Sequence, residues 1–218
     1  QTLEHVLNKI LPPDFDYRVS SKGDILNYIH RQTNDADFYF VASANKDNAV
    51  DAVARFRVTG RTPELWDAST GKMTEPATFR VVNGVTEVPI HFDPAGSTFV
   101  VFRKAGTPQS AWNGGFNAPK VPKVMLNVEG PWSVRFPSGK QAPESITLDK
   151  LISWTNHPND GVKYFSGTAT YSTTFNWTKS ASGKSPVILD LGKVKNMAVL
   201  KLNGKSFGTL WKPPYCMD

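Results

Sequence analysis

From Ala169 to Trp177 the chain alternates with period two. Ala169, Tyr171, Thr173, Phe175 and Trp177 fall on one face, and Thr168, Thr170, Ser172, Thr174 and Asn176 on the other, the signature of a half-buried strand. Val187, Leu189 and Leu191 alternate with Ile188 and Asp190, and Ala198, Leu200 and Leu202 with Met197, Val199 and Lys201. Two further strands are therefore predicted, the second turning back at Asn203-Gly204, where both residues tolerate positive φ. Upstream, runs rich in β-branched and aromatic residues predict strands over Ile25 to His30, Phe38 to Ala42, Val50 to Val58, Thr78 to Val82, Thr86 to Phe92 and Thr98 to Phe102, the spacing of a β-sandwich. Asn83-Gly84 and the Asp93 to Gly96 turn predict that the last three are consecutive antiparallel neighbours. The last is apolar on both faces, as a central strand covered twice would be.

Leu3, Val6, Leu7, Ile10 and Leu11 recur at helical spacing before Pro12-Pro13, predicting a short amphipathic connector helix. Between Lys104 and Pro122 the composition shifts to Gly, Pro, Ala, Ser and Asn without a period, so the domains are placed at 1–107 and 123–218 with a linker at 108–122. Trp112 and Phe116 inside that linker predict that it packs on a domain. The second domain opens with strands over Val124 to Val128 and Trp132 to Phe136, followed by a short helical or irregular turn around Leu148, Leu151 and Ile152.

Composition narrows the function. The 25 Lys plus Arg against 19 Asp plus Glu give a net charge of +6, but the basic residues are scattered and form no run interleaved with aromatics, so nucleic acid is not an expected partner. No apolar run reaches the length of a membrane span, and Gln1 does not open a charged-then-apolar leader, so no membrane partner is expected. A single cysteine, Cys216, excludes an internal disulfide framework and offers no metal-ligand spacing. No metal site and no cofactor are predicted.

Three strings in the C-terminal half, Tyr-Phe-Ser-Gly-x-Ala-x-Tyr from Tyr164, Leu-x-Leu-Gly-x-Val from Leu189 and Leu-Asn-Gly-Lys-x-x-Gly-x-Leu-Trp-x-x-Pro-Tyr from Leu202, resemble the galactose-binding-like jelly roll of large glycoside hydrolases. Upstream, HRQTNDADFYFVAS from His30, PELWDASTGK from Pro63 and STFVVFRK from Ser97 resemble the region after the catalytic barrel in α-L-rhamnosidases of glycoside hydrolase family 106. The resemblance implies an all-β chain: a short N-terminal helix, an antiparallel β-sandwich, and a galactose-binding-like jelly roll that is incomplete, with fewer than the usual eight or so strands. It further implies a non-catalytic accessory part of a bacterial hydrolase, with the catalytic barrel and a rhamnose-containing glycan as partners and a periplasmic or secreted location. A stand-alone carbohydrate-binding protein is the alternative.

The residues agree with a non-catalytic role. Inverting glycoside hydrolysis needs two carboxyl groups facing each other across the scissile bond, and no residue here matches the family's catalytic motifs. Glu64 and Asp67 fit a capped loop, and Glu129 and Glu144 stand alone as surface groups. Asp35 and Asp37 precede a strand, where each is expected to bind turn amides. His30, His91 and His157 are dispersed, without a nucleophile elbow. Sugar recognition pairs an aromatic face with polar side chains, which makes Trp154 with Asn156 and His157, and Trp211 with Tyr215, the candidate sugar-binding residues. Trp66, Trp132 and Trp177 are expected in the core.

Overall fold

The computed structural model describes residues 3–11, 13–107, 112–116, 123–177 and 187–217. Helix α1 (Leu3–Ile10) is followed by β1 (Phe15–Val19), β2 (Leu26–Gln32), β3 (Asp37–Ser43), β4 (Val50–Phe56), β5 (Arg61–Trp66), β6 (Met73–Thr74), β7 (Arg80–Val82), β8 (Val85–Phe92) and β9 (Ser97–Ala105). Then come β10 (Trp132–Arg135), β11 (Ser145–Leu148), a 3-10 turn at Trp154–Asn156, α2 (Asp160–Lys163) and β12 (Thr170–Ser172). Short strands β13 (Leu189–Asp190), β14 (Ala198–Leu202), β15 (Lys205–Leu210) and β16 (Cys216–Met217) follow. The all-β antiparallel class expected from the pattern is the one observed.

Strands β1 to β9 form a two-sheet sandwich, one sheet ordered β1-β4-β8-β7 and the other β2-β3-β9-β5-β6. Alternation along each strand sends Phe15, Tyr39, Val41, Val50, Phe56, Val88, Ile90, Val100 and Phe102 into one core between the sheets. Tyr39, Phe56 and Phe102 meet edge to face or tilted, with ring centroids 4.8 to 6.1 Å apart. Each such fully buried side chain contributes about 1.5–3 kcal/mol by its removal from water. The Asn83-Gly84 hairpin forms as expected, both residues at positive φ, and joins β7 to β8.

The expected third neighbour is elsewhere. Strand β9 crosses to the opposite sheet, between β3 and β5. It is central, as its doubly apolar pattern required, with Val100, Val101 and Phe102 all inaccessible. The reason is β5, whose Pro63 and polar Glu64 disguise a strand that supplies β9 with its second partner. Strand β1 was also unforeseen, its alternation masked by Asp16 and Arg18.

On the outer face of the five-stranded sheet, register aligns Ile29, Phe40, Phe99, Trp66 and Met73 in one row from β2 to β6. Ile29 is 54% and Met73 57% exposed. Helix α1 likewise leaves Leu3, Val6, Leu7 and Ile10 exposed.

By contacts, Pro186–Asp218 group with Gln1–Lys120, and Val121–Ser185 form a second unit. This differs from the expected division at 108–122 in where the C-terminal strands fall: β13–β16 and β14–β15 are separate two-stranded ladders that share no sheet with β10 to β12. Most of 108–122 lies outside the described residues. Within it, Trp112 lies under the Arg80 guanidinium, and the Gly114 carbonyl accepts from Arg18, so this part packs on the sandwich.

In the second unit, β10 lies between β11 and β12, over a core of Val134, Phe136, Ala142, Leu148 and Val162. Leu148 belongs to β11, where a turn was expected, because Ile146 and Leu148 turn inward beside β10. Val124 to Val128 form no strand. The long strand expected over Ala169 to Trp177 keeps only Thr170–Ser172 in a ladder. Tyr171, Phe175 and Trp177 are 37%, 38% and 41% exposed, so Trp177 is not a core residue. A period-two face is buried only where a second layer covers it, and none does so here among the described residues.

Candidate functional site

The candidates of the second unit meet on one short element. Trp154 sits in the 3-10 turn, half-buried, with its ring edge-on to Phe136 and Phe165 at 6.0 and 5.3 Å. Its indole N–H donates to the Tyr171 hydroxyl; burial raises that phenol's pKa, and the indole hydrogen bond opposes the shift. Asn156 is exposed. His157 is held locally, its Nδ1 accepting from the Asn159 backbone N–H at 3.1 Å, while the Asn159 side chain caps α2 through the Val162 N–H. Trp154 is thus an anchor of its own core, with a partly available face.

The C-terminal candidates separate. Trp211 is 59% exposed, whereas Tyr215 is only 8% exposed, and its hydroxyl donates to the Asn196 carbonyl at 2.7 Å. Burial of that ring removes Tyr215 from the stacking candidates: its body fills the C-terminal segment, and the polar tip is already satisfied. Beside it, burial and the charges of Asp190 and Asp93 raise the Cys216 thiol, which keeps it protonated and unreactive.

A cleft of about 300 Å³ opens beside β5, β8 and β9, lined among others by Asp67, Lys72, His91, Asp93, Thr98 and Lys212. Lys212 follows Trp211 directly. No periodicity could have found this cleft, since it joins five separated stretches of sequence. A second hollow in the other unit is lined by Pro131, Ser133, Thr147, Ser172, Thr173 and Thr174.

The carboxylates are committed to structure. Glu64 lies on β5 at 3% exposure, not on a loop; it accepts from Trp66 Nε1 at 2.9 Å and Arg103 Nε at 3.0 Å, and pairs with Lys104 at 2.9 Å. Burial works to raise its pKa, but the hydrogen bonds from Lys104, Trp66 and Arg103 outweigh burial and lower it, so it cannot hold the proton a general acid must deliver. Asp67 does cap its turn, accepting from the Ser69 N–H and both nearby hydroxyls. Glu87 is ion-paired with Arg80 and Arg55. Glu129 and Glu144 are exposed.

Asp37 is no turn residue. It is buried and accepts from Gln32 and Arg61 at 2.9 Å each. His30 stands between Asp37 and Asp14, stacked on Tyr39 with ring centroids 4.0 Å apart. Burial, then the charge and hydrogen bond of Asp14, drive the Tyr39 phenol far above its ordinary range. Among the described residues no group of three His, Cys, Asp or Glu side chains could hold a metal ion.

The α-L-rhamnosidase family model matches residues 1–81. A protein of Formosa agariphila named putative beta-glucuronidase is 42% identical over 99 residues, which are 45% of this chain and 8% of that protein. The solved structure of a rhamnosidase from Novosphingobium sp. PP1Y superposes with a TM-score of 0.77 at 36% identity, over 98% of this chain and 20% of its own. The chain thus spans a small share of the relatives it matches. The likeness carried by the sequence motifs holds in three dimensions: the chain resembles the α-L-rhamnosidases of glycoside hydrolase family 106 over residues 1–81, and a solved rhamnosidase over nearly its whole length, in a region amounting to one fifth of that enzyme.

Proposed function

We propose that the chain is a non-catalytic accessory part of a bacterial glycoside hydrolase of the α-L-rhamnosidase kind, which supports that enzyme's catalytic barrel and contacts glycan. The observation that carries it is the commitment of every buried carboxylate among the described residues to cations or other hydrogen-bond donors, in a chain similar to one fifth of a rhamnosidase. The apolar row from Ile29 to Met73 and the uncovered face of α1 are surfaces suited to the barrel, because apolar patches of this kind mark interaction sites. Such an enzyme works outside the cytoplasm, in the periplasm or after secretion. For glycan, exposed Trp211 and half-buried Trp154 supply the stacking faces.

Incubation of the chain with an aryl α-L-rhamnoside tests the non-catalytic assignment. No release of aryl alcohol above buffer is expected; turnover that disappears in Glu64→Gln or Glu129→Gln would overturn it.

A further inference from the structure

We propose that the cleft beside β5, β8 and β9 binds one uronic acid unit of an anionic glycan, with the carboxylate held by Lys72 and Lys212. The assignment rests on the glycan contact proposed above and specifies its place and charge. At about 300 Å³ the cleft is at the small end of ligand sites, a size for one sugar unit.

Its walls decide the chemistry. Lys72 and Lys212 form no ion pair among the described residues, in contrast to Lys104, which pairs with Glu64 and Glu75. The acids beside them do not answer both charges. Asp67 is taken up by Ser69 and Thr70. His91 gives its Nδ1 to Asp51 at 2.7 Å. Asp93, 3.7 Å from His91 Nε2 and with a side chain 46% exposed, keeps acceptor capacity toward the cleft. The free groups are therefore two ammonium donors and one carboxylate acceptor, matching a ligand with one carboxylate and several hydroxyls.

Titration of the 15N-labelled whole chain with D-galacturonate and with D-galactose at low ionic strength tests this. We expect amide shifts at cleft residues and roughly tenfold tighter binding of galacturonate, since two exposed ion pairs supply a modest gain. Lys72→Ala and Lys212→Ala should each weaken galacturonate several-fold and leave galactose unchanged. Equal affinity for the two sugars in the cleft would overturn the anionic preference while leaving glycan contact standing. Shifts mapping elsewhere, or full binding by the double lysine variant, would overturn the site. Binding of neither sugar would overturn the site in the cleft, while titration with L-rhamnose, with shifts sought at Trp154 and Trp211, separately decides glycan contact.

Discussion

The imidazole Nε2 of His30 lies 3.1 Å from a carboxylate oxygen of Asp37. The two residues stand on neighbouring strands that a hydrophobic reading separates only by a polar turn, and Arg61, from the far side of the same sheet, reaches the other Asp37 oxygen at 2.9 Å. A buried carboxylate survives in an interior only when cations and donors surround it. Asp37→Ala is expected to destabilise the sandwich by about 2–3 kcal/mol, below the ~3–5 kcal/mol of a fully buried pair because Arg61 and His30 are partly exposed. Urea unfolding checks this; an unchanged midpoint would mean that the cluster is dispensable.

Phe56 is fully inaccessible and touches Phe15, Tyr39 and Phe102. Phe56→Ala should cost about 3–5 kcal/mol through lost burial and a residual cavity. Trp211→Ala, at an exposed position, should stay within about 0.5 kcal/mol of the parent. Thermal denaturation of the two variants separates a core aromatic from a surface one.

Acid should destabilise the protein through Glu64 and Asp67, whose pKa values are both lowered in the folded state. A group lowered on folding stabilises above its unfolded pKa, and that stability is lost as pH falls through the ordinary carboxylate range toward the lowered value. Glu64→Gln should lose about 1–2 kcal/mol at neutral pH, discounted for the exposure of Arg103 and Lys104, and should lose less than the parent on acidification. Melting curves at a series of pH values measure both; parallel curves for parent and variant would reject the assignment to Glu64.

Exchange of backbone amides should divide the chain. Strands β4 and β9, central in their sheets and rich in inaccessible residues, should exchange slowest. The β14–β15 ladder has only two strands and leaves Val199 66% exposed, and isolated hairpins are marginal. Its amides should exchange at least about tenfold faster; comparable protection would show that this hairpin is covered in solution.

Local pattern alone was enough for the all-β class, for the Asn83-Gly84 and Asn203-Gly204 hairpins and for the double burial of β9, because alternation and turn chemistry are properties of a few consecutive residues. The resemblance to rhamnosidases was legible for the same reason, in short motifs spaced along the chain. Partnership between distant strands was not: whether β9 lies beside β8 or between β3 and β5 depends on which faces meet across the sandwich. Burial of polar residues followed suit. Glu64 and Asp37 look like surface carboxylates until Arg103, Lys104, Arg61 and His30 converge on them from other strands. Tyr215 and Trp211 are four positions apart and equally aromatic, yet packing hides one and exposes the other. The same packing assembles the cleft beside β5, β8 and β9 from residues as far apart as Leu65 and Lys212, since a concave site is a relation between segments that only the folded chain brings together.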